Sequence, residues 1–227
     1  MEVRDGGVVG HPVHACREHL KRGVAAIDDA GVLPGFTGVA VHDAWAPYDT
    51  YTTATHALCN AHVLRELVYV TDTATGQVTH LAEQAIRALT TLKRLVDDGA
   101  GVDSAAVDEH VHLLRSAVIL GCQATAARST PLERKHHALF TRLRDRRDDY
   151  LRFLTHPEVP FDNNPAEQTL RMPKLRVKVS GCMRTLTGAQ HFAAIRSYTA
   201  TASRHGIDIL DALIHAATGK PWIPATA

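Results

Sequence analysis

Between residues 78 and 154 the apolar side chains recur at helical intervals almost without interruption. Leu81, Ala85, Ala88, Leu89, Leu92 and Leu95 form one series, and Val107, Val111, Leu114 and Val118 a second. That spacing lines one face of a 3.6-residue helix and does not suit a strand. The stretch DDGAGVDS at 97–104 separates the two series. Ser129-Thr130-Pro131 then reads as the start of a third helix, running to about Leu154 and carrying Leu139, Leu143, Tyr150 and Phe153. A chain with so long a helical middle must find most of its sheet elsewhere.

The first third supplies it. KRGVAAIDDAG reads as a short helix from about Arg22 to Ala30, with Gly31 at its C-terminal cap and Pro34 beyond. Val39, Ala40 and Val41 form the heart of a buried strand that ends at His42-Asp43. A loop or short helix starting at Pro47 leads to a second strand over His56–Cys59 and a helix over Ala61–Val70. After the helical block, PEVPFDNN is a proline-rich loop, and a helix is expected from Pro165. KLRVKVSG alternates like an extended run, and two helices ending at Gly206 and Gly219 close the chain. The expected class is α/β. The expected organisation is an atypical segment over 1–20, core over 21–77, helical insertion over 78–155 and remaining core over 156–227.

Length and composition fit one medium globular domain, or one with an insertion: 227 residues, 45% hydrophobic and 22% charged. No apolar run follows the N-terminal charges and none reaches the length of a membrane span, so a soluble, cytoplasmic chain with no membrane partner is expected. Cys16, Cys59, Cys122 and Cys182 are widely spaced and form no CxxC pair, which fits a reducing compartment. Net charge is +1 but unevenly spread. Residues 1–127 hold 9 Lys+Arg and 15 Asp+Glu, whereas residues 128–184 hold 13 and 7. The basic half suggests a polyanion-binding face.

Asp43 stands at the carboxyl end of a predicted strand, where ligand sites of open α/β sheets gather. An Asp there also serves simply to cap the next turn. Glu167 has the same double reading. With Asn164 as N-cap and Pro165 as first helical residue, it falls where a capping box places its acid, and Arg171 lies one turn on. Read as ligands instead, the two carboxylates would hold hard divalent metal through oxygen. Lys174, Arg176, Lys178 and Arg184 would then bind phosphates, unless they simply protect an edge strand. Two His/Cys groups, His56-Cys59-His62 and His11-His14-Cys16-His19, invite zinc, although neither has a standard paired spacing.

Three segments, GVAVHDAWAPYDTY at 38–51, HALCNAHVLREL at 56–67 and FDNNPAEQTLRMPKLRVKVSGCMR at 161–184, together resemble the catalytic part of the insertion-sequence-sixty-six family of bacterial transposases. IRSYTATASRHG at 195–206 and TGKPWIP at 218–224 extend the likeness, which covers about residues 20–224. The resemblance implies a ribonuclease-H-like fold and an Asp-Asp-Glu triad holding two Mg²⁺ (or Mn²⁺). Asp43 matches the second acid and Glu167 the third. It implies DNA cleavage and strand transfer on transposon ends and target DNA, with a homo-oligomer assembled on double-stranded DNA. Arg171, Lys174, Arg176, Lys178 and Arg184 would contact that DNA. Asn60, His62, Arg65 and Glu66, with Asn163 and Asn164, would support the site. The family's first Asp has no convincing counterpart. Asp5 precedes two glycines in no strand-like context, and Asp28 and Asp29 sit on a predicted helix. The first 20 residues do not follow the family's pattern. A truncated or inactive copy that binds metal weakly is therefore expected. The alternatives are a non-catalytic nucleic-acid-binding module and a small zinc-binding helical protein.

Overall fold

The computed structural model describes residues 3–4, 23–99, 104–164 and 185–224. The chain divides into two compact units, one of residues 1–56 with 163–227 and one of residues 57–162. Among the described residues the protein is mostly helical, and its sheet is small. The α/β expectation is thus met only in part: the described residues are mostly helical and carry a small sheet with a parallel pair.

In the first unit, helix α1 (Val24–Asp29) ends as expected, with Gly31 in the left-handed region at φ 71°. A 3-10 turn over Leu33–Gly35 leads into strand β2 (Val39–His42), whose residues alternate between half-buried and buried. The two-residue strand β1 (Val3–Arg4) pairs antiparallel with it, Val3 opposite Ala40 and Arg4 opposite Val39. β1 therefore leaves β2 at the Val39 end, the end away from Asp43. Strand β3 (Thr55–Leu58) lies on the other side of β2 and forms a short parallel pair with it. The Thr55 N–H donates to the Gly38 carbonyl at 3.0 Å. The crossover between these strands contains a 3-10 helix over Ala46–Thr50, with Pro47 in its first turn. Leu33, Phe36, Ala40, Tyr51 and Ala54 form the core here, with Ile27 and Tyr48 against them. The Tyr51 hydroxyl donates to the Asp28 carboxylate at 2.7 Å and ties α1 to the crossover. Burial, together with that bond, pushes the Tyr51 phenol up to about 12.

The second unit is a helical stack. Helix α2 (Asn60–Thr73) is followed by α3 (Gln77–Asp97), α4 (Ala105–Ala124) and α5 (Pro131–Asp145). α3 packs against α2 and α4, and α4 packs against α5. The short connection from α2 to α3 is what antiparallel neighbours need. The periodic residues do what their spacing predicts: Leu81, Ala85, Ala88, Leu89 and Leu92 on α3 and Val107, Leu114 and Val118 on α4 are buried. Burying such a face supplies most of a helix's stability in a protein. α5 begins with a reciprocal cap. Thr130 Oγ1 accepts from the Glu133 N–H, Glu133 accepts from the Ser129 N–H, and Pro131 stands at the start.

The third helix does not run unbroken to Leu154. It stops at Asp145 and is followed by two single turns, α6 (Arg147–Tyr150) and α7 (Arg152–Thr155). Arg146 (φ −112°, ψ 28°) and Leu151 (φ −96°, ψ 5°) leave helical geometry. Asp149 bridges the break, accepting from Arg146 Nε at 2.9 Å and from Arg152 at 3.0 Å.

In the first unit again, α8 (Leu186–Arg204) starts at Thr185, whose hydroxyl accepts from the Gly188 N–H. The last helix, α9 (Ile209–Ala217), is capped by Asp208, which accepts from the N–H groups of Leu210 and Asp211. The Tyr198 hydroxyl donates to the Ala212 carbonyl and accepts from the Trp222 N–H, so α8 holds both α9 and the closing segment.

Candidate functional site at the end of the second strand

β2 delivers two functional side chains in succession. His42 is its last residue and only 2% exposed, and Asp43 follows on the surface. The next residue, Ala44, adopts φ 64°, a conformation that costs a side-chain-bearing residue about 1–2 kcal/mol. Such strain tends to persist where the surroundings fix a functional turn. Here two bonds fix it. The Ala44 N–H donates to His42 Nδ1 at 3.2 Å, and the Trp45 N–H donates to Asp43 Oδ1 at 3.2 Å. The local capping role open to Asp43 is therefore present. It occupies one carboxylate oxygen and leaves the group at the surface, where it can still meet a cation. Tyr48 reports its charge: burial raises the phenol pKa, and the Asp43 carboxylate raises it further.

Behind Asp43 lies a cluster that motif spacing did not reveal. His42, Asp49 and His56 present ligand atoms all within 4.8 Å of one another. His42 comes from β2, Asp49 from the 3-10 crossover and His56 from β3, so only the fold unites them. Among the described residues this is the one group of three or more such side chains that could hold a metal ion. The zinc set proposed around His56, Cys59 and His62 does not converge there; Cys59 is a buried free thiol. The residues of the other zinc set, His11 to His19, lie outside the described residues.

The hydrogen bonds define the cluster's chemistry. His42 Nε2 and His56 Nδ1 stand 3.0 Å apart. Because the Ala44 N–H donates to His42 Nδ1, the neutral His42 ring carries its proton on Nε2 and gives it to His56. Metal on His42 Nε2 would require the proton on Nδ1, where the Ala44 N–H already points, so the ring would first have to turn over. His42 also packs on Tyr48, with ring centroids 4.7 Å apart, and Tyr48 packs on Trp45 at 5.8 Å. As placed, the cluster is a hydrogen-bonded support behind Asp43 with a latent nitrogen-rich metal site.

The supporting residues expected on α2 lie in the second unit. Asn60 is 1% exposed, and Nδ2 donates to the Tyr150 carbonyl at 2.9 Å. Its own N–H donates to the carbonyl of Phe161 at 3.0 Å, just before the Asn-Asn-Pro turn. Glu66 pairs with Arg142 at 2.7 Å, and Arg142 Nε donates to the Tyr150 hydroxyl at 2.9 Å. Burial opposes the Arg142 charge, but Tyr150 and Glu66 more than offset this and raise its pKa; burial also raises that of Tyr150. Arg65 is exposed, and its Nε donates to the Ala61 carbonyl of its own helix. His62, Asn163 and Asn164 are half-buried. Glu167, Arg171, Lys174, Arg176, Lys178 and Arg184 lie outside the described residues.

A family model described as "Transposase IS66 family" matches residues 3–191. The match takes in β1 and residues 3–20 as a whole, where no likeness to the family was expected, and stops short of the closing helix. No curated protein and no solved structure matches the chain. Among the described residues, no helix is long and apolar enough to cross a membrane.

Proposed function

Since this chain belongs to the IS66 transposase family, we propose that its core is ribonuclease-H-like and that Asp43 and Glu167 are the second and third acids of an Asp-Asp-Glu site for DNA cleavage and strand transfer. The observation that carries this reading is the end of β2, where a buried His42 and a strained Ala44 hold Asp43 at the carboxyl edge of a parallel strand pair. The surface carboxylate fits hard Mg²⁺ or Mn²⁺, which prefer oxygen, whereas imidazole nitrogens suit Zn²⁺ better than Mg²⁺. Divalent metal, when bound, stabilises charge at the attacking and leaving oxygens of the phosphodiester.

The chain's own residues divide the remaining work. Asp43 and Glu167 supply oxygen ligands. His42 and His56 set the direction in which the β2 turn presents Asp43. Arg171, Lys174, Arg176, Lys178 and Arg184 hold the DNA backbone of transposon end and target, a contact that weakens steeply with salt. Asn60 and Glu66, with His62, Arg65, Asn163 and Asn164, support the segments that flank the acids. The assembly of an intact family member would be a homo-oligomer on DNA in the cytoplasm.

This chain also departs from an intact site. Asp28, on α1, has its carboxylate bound to Tyr51, and β1 leaves β2 at the end away from Asp43. With no residue among those described in the first acid's role, the chain is proposed to bind metal weakly and to be inactive. The test is strand transfer with Mg²⁺ on family transposon ends. No joined product is expected, and cutting and joining at normal efficiency would overturn the inactivity. If Asp43→Ala left DNA binding and every cellular role intact, the non-catalytic binding module would replace the enzyme reading.

A further inference from the structure

We propose that His42, Asp49 and His56 form a site for Zn²⁺, distinct from the oxygen site of Asp43, and that its occupation frees the turn in which Asp43 stands. The three ligand atoms lie within 4.8 Å of one another. Two imidazoles and one carboxylate are a regular three-residue set for zinc, with water as the fourth ligand. Mg²⁺ takes oxygen ligands and keeps several waters, so the two nitrogens select against it. Zinc–nitrogen bonds at tetrahedral angles put two ligand nitrogens about 3.4 Å apart. His42 Nε2 and His56 Nδ1 stand 3.0 Å apart, close to that spacing. Burial runs in one direction. His42 is buried, His56 half-buried and Asp49 exposed. The imidazoles thus form an inner wall and Asp49 the mouth, which gives the ion an entry path and the fourth position access to water. The Asp49 carboxylate, exposed on the 3-10 crossover, makes the remaining approach.

The proton between the two rings is what zinc has to displace. His56 Nδ1 accepts it and so already offers a lone pair. His42 holds it on Nε2 because the Ala44 N–H donates to Nδ1. For His42 to ligate through Nε2, its proton moves to Nδ1 and the ring turns over, which keeps a nitrogen at the cluster. The Ala44 N–H then loses its acceptor. Ala44 is held at φ 64° by that bond and by the bond from the Trp45 N–H to Asp43 Oδ1. With the first bond gone, the left-handed alanine relaxes and the neighbouring Asp43 moves with it. Trp45 is placed to report the change, since its ring packs on Tyr48 and Tyr48 packs on His42.

The test uses the full chain, stripped of metal by a chelator and titrated with Zn²⁺. Bound zinc is counted by elemental analysis after gel filtration. The chain has two tryptophans, so in a Trp222→Phe background the emission is that of Trp45 alone. Zinc should be retained at a site that His56→Ala abolishes, and its binding should shift the Trp45 emission, whereas Mg²⁺ should not. Asp49 is exposed, so Asp49→Asn keeps the fold. It should weaken zinc binding at least about tenfold, since even the partners of zinc ligands are worth roughly 10–100-fold in affinity. His14→Ala with Cys16→Ser, in the other His/Cys group, should leave this binding unchanged. A chain that retains no zinc refutes the site, and so does zinc held equally well by Asp49→Asn and His56→Ala. Zinc lost with those residues but without any change in Trp45 emission refutes the release of the turn. Neither readout involves DNA or Mg²⁺ at Asp43, so the transposase reading stands or falls separately.

Discussion

Asn60 and Tyr150 meet amide to carbonyl at 2.9 Å, 90 residues apart in the chain. The bond accompanies the second break in the third helix of the insertion, at Leu151. Beyond Tyr150 the Leu154 N–H turns to Leu151 instead of Tyr150, which releases the Tyr150 carbonyl. A buried carbonyl without a partner would cost about 1–3 kcal/mol, and the Asn60 amide satisfies it. Arg142 clamps the other end of Tyr150 and reaches Glu66, one and a half turns along α2 from Asn60. Two residues of the family-like block on α2 thus hold the helical stack together.

Asn60→Ala should therefore destabilise the protein by about 1–3 kcal/mol in urea unfolding, because it strands the Tyr150 carbonyl. Glu66→Gln should cost less than about 1 kcal/mol, since the pair with Arg142 is partly exposed. Equal, small losses for the two would contradict the assignment of Asn60 as the main clamp.

Gly121 sits where α4 meets α5. A Cβ placed there would lie 2.5 Å from the fully buried ring of Phe140. Gly121→Ala, which would gain about 1 kcal/mol in an open helix, should here cost about 1–3 kcal/mol through overpacking. Adding Phe140→Leu should recover part of that loss, so that the double variant is more stable than the two single effects predict. A stabilised Gly121→Ala would mean that the helices cross more loosely than described.

His136 is buried beside Thr73, and burial lowers its pKa from the usual 6.5, against a smaller opposing effect of Glu133. Below about pH 6.5 the unfolded chain takes up a proton that the folded chain resists, so the unfolded state binds more protons in that window. The stability this contributes is present above pH 6.5 and is lost as pH falls. The Tm of the protein should drop between pH 7 and pH 5 by more than that of His136→Leu, compared by thermal scans at matched salt. Parallel curves would contradict the role given to His136.

Much of the architecture was legible in residues 78–154 because one physical rule, burial of a periodic apolar face, governs them. Leu81, Ala85, Leu89 and Leu114 are buried as their spacing requires. The break at Arg146 was not legible. Nor was the second break at Leu151, where the Tyr150 carbonyl turns to the Asn60 amide 90 residues away, and such a long-range bond leaves no local pattern. At the site, Asp43 could be placed from its position after an apolar strand. The His42, Asp49 and His56 cluster could not, because strand pairing and a crossover unite residues whose spacing matches no ligand motif. The sequence signal that could have pointed to it is the burial of a histidine at a strand end directly before an acid.

The account rests on Asp43 as a metal-holding acid presented by β2. The direct test is a Mn²⁺ titration of the purified chain followed by electron paramagnetic resonance, comparing the parent with Asp43→Asn and Glu167→Gln. The account predicts weak binding by the parent, loss of that binding in both variants, and a Tm for Asp43→Asn unchanged within about 2 °C, since the surface carboxylate of Asp43 contributes little to stability. Mn²⁺ bound as well by Asp43→Asn as by the parent would contradict it, and would leave Asp43 as the cap of its own turn.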